Sequence, residues 1–99
     1  QYMMARLNKS WQDAVFISLH GRDGDLSKVK KHKLSILLTD RENSPSNIAK
    51  RLSNMGMKGK VYIGYNLSYD DEKIIKKEIG EEFQDVSHLS IMVIENEMD

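Results

Sequence analysis

The sequence predicts an α/β fold, a three-layer sandwich in which helices cover both faces of a central sheet. Short apolar, β-branched runs alternate along the chain with segments that carry helix signals, and turn residues separate the two kinds of segment. The chain has 99 residues, of which 39% are apolar and 30% charged. That size and composition are typical of one globular domain with a single modest core.

Four apolar runs predict the strands of this sheet. The first two are continuous rather than alternating, which indicates strands covered on both faces. The predicted strands are Ala14–Leu19, Leu34–Asp40, Lys60–Tyr65 and His88–Asn96.

A helix is predicted between the second and third strands, from Pro45 to Met55. Ser44 is a favoured N-cap, Pro45 suits the first helical position, and Gly56 is placed to end the helix. One apolar stripe at helical spacing should pack against strands Ala14–Leu19 and Leu34–Thr39. It consists of Ile48, Leu52 and Met55.

Three further helical segments are predicted. "QYMMARL" at the start resembles the end of a helix, so the chain is expected to be a fragment of a longer one. Segment 25–33 should form one or two turns, with Leu26 and Val29 on its inner side. Segment 68–79 is predicted as a helix with Ser68 as N-cap and acidic residues in its first turn. Its inward side chains would be Ile74, Ile75 and Ile79.

The ends of three predicted strands suggest a binding edge. "LHGRDGD", "TDRENSP" and "GYNLSYDDE" each follow a strand, are rich in small or polar residues, and lead towards a predicted helix. Ligands of open α/β sheets sit outside the carboxyl ends of the strands. This pattern alone predicts binding, without naming the ligand.

Composition and motifs exclude several functions. Fifteen basic side chains balance 15 acidic ones, which removes the electrostatic basis for a nucleic-acid or anionic-membrane partner. No apolar run reaches membrane-spanning length. There is no cysteine, which fits a cytoplasmic protein and excludes thiolate chemistry.

No catalytic or metal-ligating residue can be assigned from the motifs. The three histidines are dispersed, "DGD" lacks the remaining positions of a calcium loop, and neither a P-loop nor a nucleophile elbow occurs. The dispersed histidines are His20, His32 and His88. We therefore predict no metal site and no acid–base catalyst.

A more specific signal comes from "ARLNKSWQDAVFISLHGRD", "LLTDRENSPSNIAKRL" and "IGYNLSYDDEKI" taken together. In order and spacing they resemble the C-terminal half of the tetrapyrrole methylases, in the branch that methylates C5 of the corrin ring in cobalamin biosynthesis. "SLHGR" after "WQDA" is the most specific element. The chain departs from the third motif at Tyr65 and Ser68, where that family usually has glutamate and glycine. Glycine tolerates positive φ and serine does so poorly, so the second departure tests the backbone at Ser68.

The resemblance implies that residues 1–99 form the C-terminal domain of a two-domain enzyme. That half of the family has a five-stranded mixed sheet, so a fifth strand is expected near Asn96 or within Phe83–Ser87, and the alternating pattern makes the sheet mostly parallel. S-adenosylmethionine (SAM) would be the methyl donor, held between this domain and an N-terminal domain whose glycine-rich loop is absent here. A corrinoid is the implied substrate, with no nucleic acid or membrane as partner and with a homodimer as a further expectation.

Carried over by position, two loops would bind SAM through backbone groups, which can pair with a purine edge. They are Leu19, His20 and Gly21, and Glu42, Asn43 and Ser44. Arg22 would pair with a substrate carboxylate, and an ion pair with Asp23, Asp25 or Asp40 is the equally weighted alternative. Two other functions stay open: a related methylase acting at another ring position, and a non-catalytic α/β domain that binds a nucleotide or a protein.

Overall fold

The computed structural model describes residues 2–7, 14–19 and 25–98. Over these residues the chain forms two α-helices, one 3₁₀ helix and five strands. In chain order they are α1 (Tyr2–Leu7), β1 (Ala14–Ile17), the 3₁₀ helix (Ser27–Lys31), β2 (Leu34–Leu38), α2 (Pro45–Asn54), β3 (Gly59–Tyr65), β4 (Lys73–Glu78) and β5 (Ser90–Asn96).

The five strands form one mixed sheet in the order β1-β2-β5-β3-β4. β1 and β2 are parallel, whereas β5 lies antiparallel between β2 and β3, and β4 is antiparallel to β3. The predicted five-stranded mixed sheet is therefore confirmed. The expectation that it is mostly parallel is wrong, because β5 returns through the middle of the sheet and β4 joins β3 through a short turn.

Helices lie on both faces of this sheet, as predicted for a three-layer α/β sandwich. The main core lies on the face that carries α2 and the 3₁₀ helix, where Val29, Ile48 and Leu52 are fully buried with strand residues such as Ile63 and Met92. A second core lies on the opposite face under α1. It contains Met3, Met4, Leu34, Ile36, Tyr62, Ile91 and Val93.

Local signals define α2 closely. The Ser44 hydroxyl accepts a hydrogen bond from the Asn47 backbone N–H, and Pro45 occupies the first turn. The helix ends at Asn54, and Gly56 follows with φ +80°, a left-handed conformation that ends helices readily when glycine adopts it. The predicted apolar stripe faces the main core, but its nearest strand is β5 rather than β1 or β2, because β5 occupies the centre of the sheet.

The predicted helix over 68–79 is wrong. Residues 73–78 form β4, which pairs antiparallel with β3 from Lys60 to Tyr65. Ser68 lies in the preceding turn with φ +72° and caps no helix. Pairing with β4 satisfies the backbone groups along one side of β3, which a helix at this position would leave without a ladder. β4 is also the fifth strand, and the expectation that this strand lies near Asn96 or within Phe83–Ser87 is wrong.

Segment 81–89 has no regular secondary structure and connects β4 to β5. Its first residues line a groove together with α2 residues from Ser46 to Asn54, so the segment follows the length of that helix.

The coverage of β1 differs from the prediction on one face. Ile17 is buried, but Phe16 on the other face is 58% exposed. β1 forms one end of the strand order, so it has a single neighbouring strand to share its cover. The prediction of burial on both faces therefore holds for the inner side only.

Candidate functional site

The three strand ends singled out in the sequence come together. β1, β2 and β3 all run in the same direction, since β2 and β3 are both antiparallel to β5, so their carboxyl ends meet at one edge. We call this the upper edge. It comprises Ser18–Leu19 after β1, 39–44 after β2, 66–72 after β3, and 85–89 before β5.

Of the first predicted SAM-binding loop, Leu19 lies within the described residues. Its side chain is partly buried and packs against the main core, which leaves its backbone for any ligand. His20, Gly21 and Arg22 lie outside the described residues. Asp25, one alternative partner of Arg22, accepts a 2.8 Å hydrogen bond from the Ser27 N–H.

Hydrogen bonds to Ser27 and, more weakly, the charges of Lys28 and Lys31 lower the pKa of the Asp25 carboxyl. The carboxylate is fully exposed at the start of the 3₁₀ helix. Asp25 therefore already serves the local turn that begins this helix.

The second predicted loop, after β2, is closed by its own hydrogen bonds. The Asn43 N–H donates to the Asp40 carboxylate at 2.7 Å, and the Asp40 N–H donates to the Asn43 carbonyl at 3.1 Å. The Asn43 side chain is buried and accepts from the Arg51 guanidinium, while the Asn47 amide donates to the Glu42 carbonyl. The loop backbone is thereby held in a fixed shape, and the Asn43 side chain serves the fold.

A buried tyrosine joins β3 to the start of α2. Tyr65, the last residue of β3, is fully buried, and its hydroxyl donates to Asp85 Oδ1 at 3.2 Å. The same oxygen accepts from the Ser46 N–H at 3.0 Å, and Asp85 Oδ2 accepts from the Ser46 hydroxyl. Asp85 thus places a carboxylate at the N-terminus of α2, where the helix dipole favours negative charge.

Burial, reinforced by the neighbouring charge of Asp85, raises the pKa of the Tyr65 hydroxyl to about 12, although a hydrogen bond to the Val86 backbone acts in the opposite direction. Tyr65 is therefore protonated at neutral pH and can donate to Asp85. Where the tetrapyrrole methylases usually have a glutamate, this chain therefore has the neutral Tyr65 hydroxyl, which donates to the Asp85 carboxylate.

Two further links tie the upper edge together. The Asn66 N–H donates to the Leu89 carbonyl at 2.9 Å, and the Ser87 hydroxyl donates to the Asn66 side-chain oxygen at 3.0 Å. At the end of β2, the Thr39 hydroxyl contacts both the carbonyl and the hydroxyl of Ser90. The segment before β5 is thus bonded to the end of β3, and the first residue of β5 is bonded to the end of β2.

Sequence reasoning missed Asp85 and Ser87. Each lies about 20 residues from its partner on β3 or just after it, and Asp85 lies 39 residues from Ser46. No motif spacing marks such pairs. The only local signal is that an acid suits a helix N-terminus, and it does not say which helix.

The upper edge also exposes apolar side chains. Leu38, Tyr69 and Leu89 are 74%, 63% and 51% exposed, and they line an open groove of about 210 Å³ with Leu67 and Ile91. A larger groove of about 650 Å³ lies between α2 and segment 80–84, and it extends from the start of α2, beside this edge, to the end of the helix. Within the part of the chain that the structure describes, no cluster of side chains suited to a metal ion was found.

The fold and the site together define the class of protein: an α/β sandwich with a mixed five-stranded sheet and three loops at one edge of that sheet. No family model matches the chain. Among solved structures, the precorrin-6Y methylase of Archaeoglobus fulgidus shares this fold: its TM-score is 0.67 at 23% identity, over 99% of this chain and 45% of that one. Among curated proteins, the chain is 34% identical over 98% of its length to a probable cobalt-precorrin-7 C(5)-methyltransferase of Methanocaldococcus jannaschii.

These comparisons confirm the resemblance to the tetrapyrrole methylases that the sequence motifs indicated. The chain spans about half the length of the relatives it matches, 48% of the curated protein and 45% of the solved one. None of the helices in the described ranges is long and apolar enough to span a bilayer.

Proposed function

We propose that this chain is the C-terminal domain of a SAM-dependent methyltransferase that acts on C5 of the corrin ring in cobalamin biosynthesis, in the cytoplasm. The similarity of nearly the whole chain to a probable cobalt-precorrin-7 C(5)-methyltransferase carries the proposal. A corrinoid is the proposed substrate, and the half of the relatives' length that the chain does not span is the proposed partner domain. Assembly as a homodimer belongs to the same proposal.

The SAM-binding residues we propose are Leu19, His20, Gly21, Glu42, Asn43 and Ser44. Two features of the described part of this set support it. The side chains of Leu19 and Asn43 are engaged in the fold, so recognition of the adenine edge would use backbone groups, as expected for a purine. At Asn43 the carbonyl would serve through its second lone pair, because the N–H already donates to Asp40. The hydrogen bonds within 40–44 hold that backbone in place before a ligand arrives, which lowers the entropic cost of binding.

The chemistry asks little of acid–base groups. SAM supplies a methyl group already activated on its sulfonium, and the protein has to orient the donor, align the acceptor carbon and exclude water. Arg22 is proposed to pair with a carboxylate arm of the corrinoid and so to orient the ring. No residue is proposed as a general acid or base.

One domain offers only one wall of such a pocket. The proposed second wall, with a glycine-rich loop, would come from the other domain, and contact with that domain would bury Leu38, Tyr69 and Leu89. A ligand held by half the contacts still loses translational and rotational freedom, a cost of roughly 4–15 kcal/mol. We therefore expect this chain alone to bind SAM weakly or not at all and to transfer no methyl group.

Titration calorimetry tests the proposal. The two-domain protein should bind SAM and methylate a corrinoid acceptor, whereas residues 1–99 alone should show no micromolar binding. Micromolar or tighter binding by residues 1–99 would mean that a complete site lies within them, and the two-domain proposal would have to be abandoned. A two-domain protein that binds SAM but methylates another ring carbon would retain the class and change the ring position.

A further inference from the structure

The start of α2 is held from outside the helix. Ser44 caps it from within the chain, and Asp85 adds a carboxylate from the segment before β5. Asp85 accepts both the N–H and the hydroxyl of Ser46, and the Ser46 hydroxyl lies 3.4 Å from that of Ser44. The N-cap Ser44 and the Asp85 carboxylate therefore both lie next to the Ser46 hydroxyl.

This point adjoins the loop proposed to bind SAM. Ser44 is both the N-cap of α2 and the last residue of that loop, and the loop is closed by Asp40 and Asn43 just before it. Any shift of the first turn of α2 must move Ser44, because the two are joined by the chain and by the hydrogen bond to Asn47.

Tyr65 fixes the other end of this arrangement. Its ring is fully buried in the main core, and its hydroxyl reaches the carboxylate that holds Ser46. The strand position of Tyr65 is set by pairing with Lys73 on one side and Ser90 on the other. The position of the Asp85 carboxylate is thus fixed by a hydrogen bond to the sheet, through Tyr65, as well as by its own segment.

We propose that Tyr65 and Asp85 are positioning residues that hold the start of α2, and with it the 40–44 loop, in the conformation that receives SAM. The effect on SAM binding rests on the proposed function. The contact of Tyr65 and Asp85 with the start of α2 rests on the geometry alone. Neither residue needs to touch SAM, since both act through Ser46 and Ser44.

Amide hydrogen exchange on the present chain tests the contact. Asp85→Ala removes the acceptor of the Ser46 N–H, and its exchange should accelerate by about tenfold or more, since hydrogen bonds to charged groups are among the stronger ones. Tyr65→Phe should give a smaller acceleration at Ser46. Tyr62→Phe is the matched control: it removes a buried hydroxyl of the same strand that donates to Glu95 at 2.9 Å, on the face away from α2. Equal Ser46 exchange in the Tyr65→Phe and Tyr62→Phe variants would overturn the proposal.

Steady-state kinetics of the two-domain enzyme test the consequence. Tyr65→Phe and Asp85→Ala should raise KM for SAM roughly three- to tenfold with kcat within about twofold, which indicates lost uniform binding. Tyr62→Phe should leave both constants unchanged, so a general loss of stability would not reproduce the pattern. Faster Ser46 exchange without a rise in KM would refute the positioning role and leave the proposed function intact. An unsubstituted enzyme that does not use SAM would instead refute the proposed function, and the exchange data would still decide whether the contact exists.

Discussion

Ser68 offers a direct measurement of backbone strain in this fold. It adopts φ +72° in the turn between β3 and β4, a conformation that costs non-glycine residues about 1–2 kcal/mol. Its N–H donates to Glu72 at 3.0 Å, a bond that glycine keeps, and its side chain is exposed. The Ser68→Gly variant should therefore relieve strain and lose little else.

The net gain is smaller than the strain itself. Glycine brings extra freedom to the unfolded chain, which costs roughly 0.5–1 kcal/mol. Subtracting this from the relieved strain leaves an increase of about 0–1.5 kcal/mol in the free energy of unfolding. The middle of that range, about 0.75 kcal/mol, corresponds to roughly 3–6 °C in Tm for a domain of this size.

The reverse substitution, from glycine to serine at a positive φ, can be made at Gly56. It has φ +80°, and a Cβ added there would meet no atom of the described residues within 4 Å, so Gly56→Ser isolates the same backbone effect with the opposite sign. Urea unfolding of both variants, followed by circular dichroism, should show Ser68→Gly more stable and Gly56→Ser less stable than the unsubstituted chain. If Ser68→Gly is destabilising while Gly56→Ser behaves as expected, then the serine side chain contributes a contact and the strain argument is wrong.

Five further substitutions have a defined effect on stability. Gly59→Ala should cost about 3 kcal/mol or more, because its Cβ would lie 2.1 Å from the Glu95 carbonyl oxygen. Gly80→Ala should cost less in the same urea assay, on the order of 1–2 kcal/mol, because its Cβ would lie 3.7 Å from the nearest described atom and the strain of φ +110° is what remains. Ser35→Ala should raise the free energy of unfolding by about 1 kcal/mol, because the buried Ser35 hydroxyl has no hydrogen-bond partner among the described residues, and a loss of stability would reveal a partner. Ser44→Ala should lower the free energy of unfolding by about as much through loss of the N-cap. The pKa of Tyr65 rises from 10.0 to about 12 on folding, so the contribution of this hydroxyl to stability is complete below pH 10 and is lost as the pH rises to 12. Tyr65→Phe should therefore flatten the curve of unfolding free energy against pH between these values. An unchanged curve would contradict the burial of the Tyr65 hydroxyl as the cause of the shift.

The parts of the fold that could be predicted are those with local causes. Ser44, Pro45 and Gly56 specify the ends of α2 through chemistry within a few residues, and the structure places these ends within one residue of the prediction. Leu26 and Val29 are buried beside the 3₁₀ helix for the same reason, since a short helical turn has one inner side.

The parts that could not be predicted depend on distant partners. Whether Asp85 meets Ser46 is decided by the path of segment 81–89 along α2, and nothing near either residue encodes that path. The direction of β5 between β2 and β3 is likewise a property of the whole sheet. The convergence of three strand ends was nevertheless predictable, because polar loops after apolar strands indicate a binding edge in this fold class.

The error at segment 68–79 came from an ambiguity that an experiment can resolve. Ser68 followed by acids is a helix start, but the same residue types also form turns, and "KIIKKEI" suits a helical face as well as an alternating strand. A strand sends neighbouring side chains to opposite faces, whereas on a helix Ile74 and Ile75 would be about 100° apart and could both border one apolar face. In the structure Ile74 packs in the second core under α1, and Ile75 packs in the main core.

Methionine methyl groups report the two cores separately, because Met3 and Met4 lie in the second core and Met57 and Met92 in the main one. With methyl-labelled methionine, Ile74→Val should therefore shift the NMR signals of Met3 or Met4 and leave those of Met92 nearly unchanged. Ile75→Val, the matched substitution one residue later, should do the reverse. Losing one methylene from a half-buried position costs about 1 kcal/mol or less, so both variants should stay folded. If both substitutions shift the same set of methionines, the two isoleucines share a face, and β4 cannot be the strand that completes the sheet.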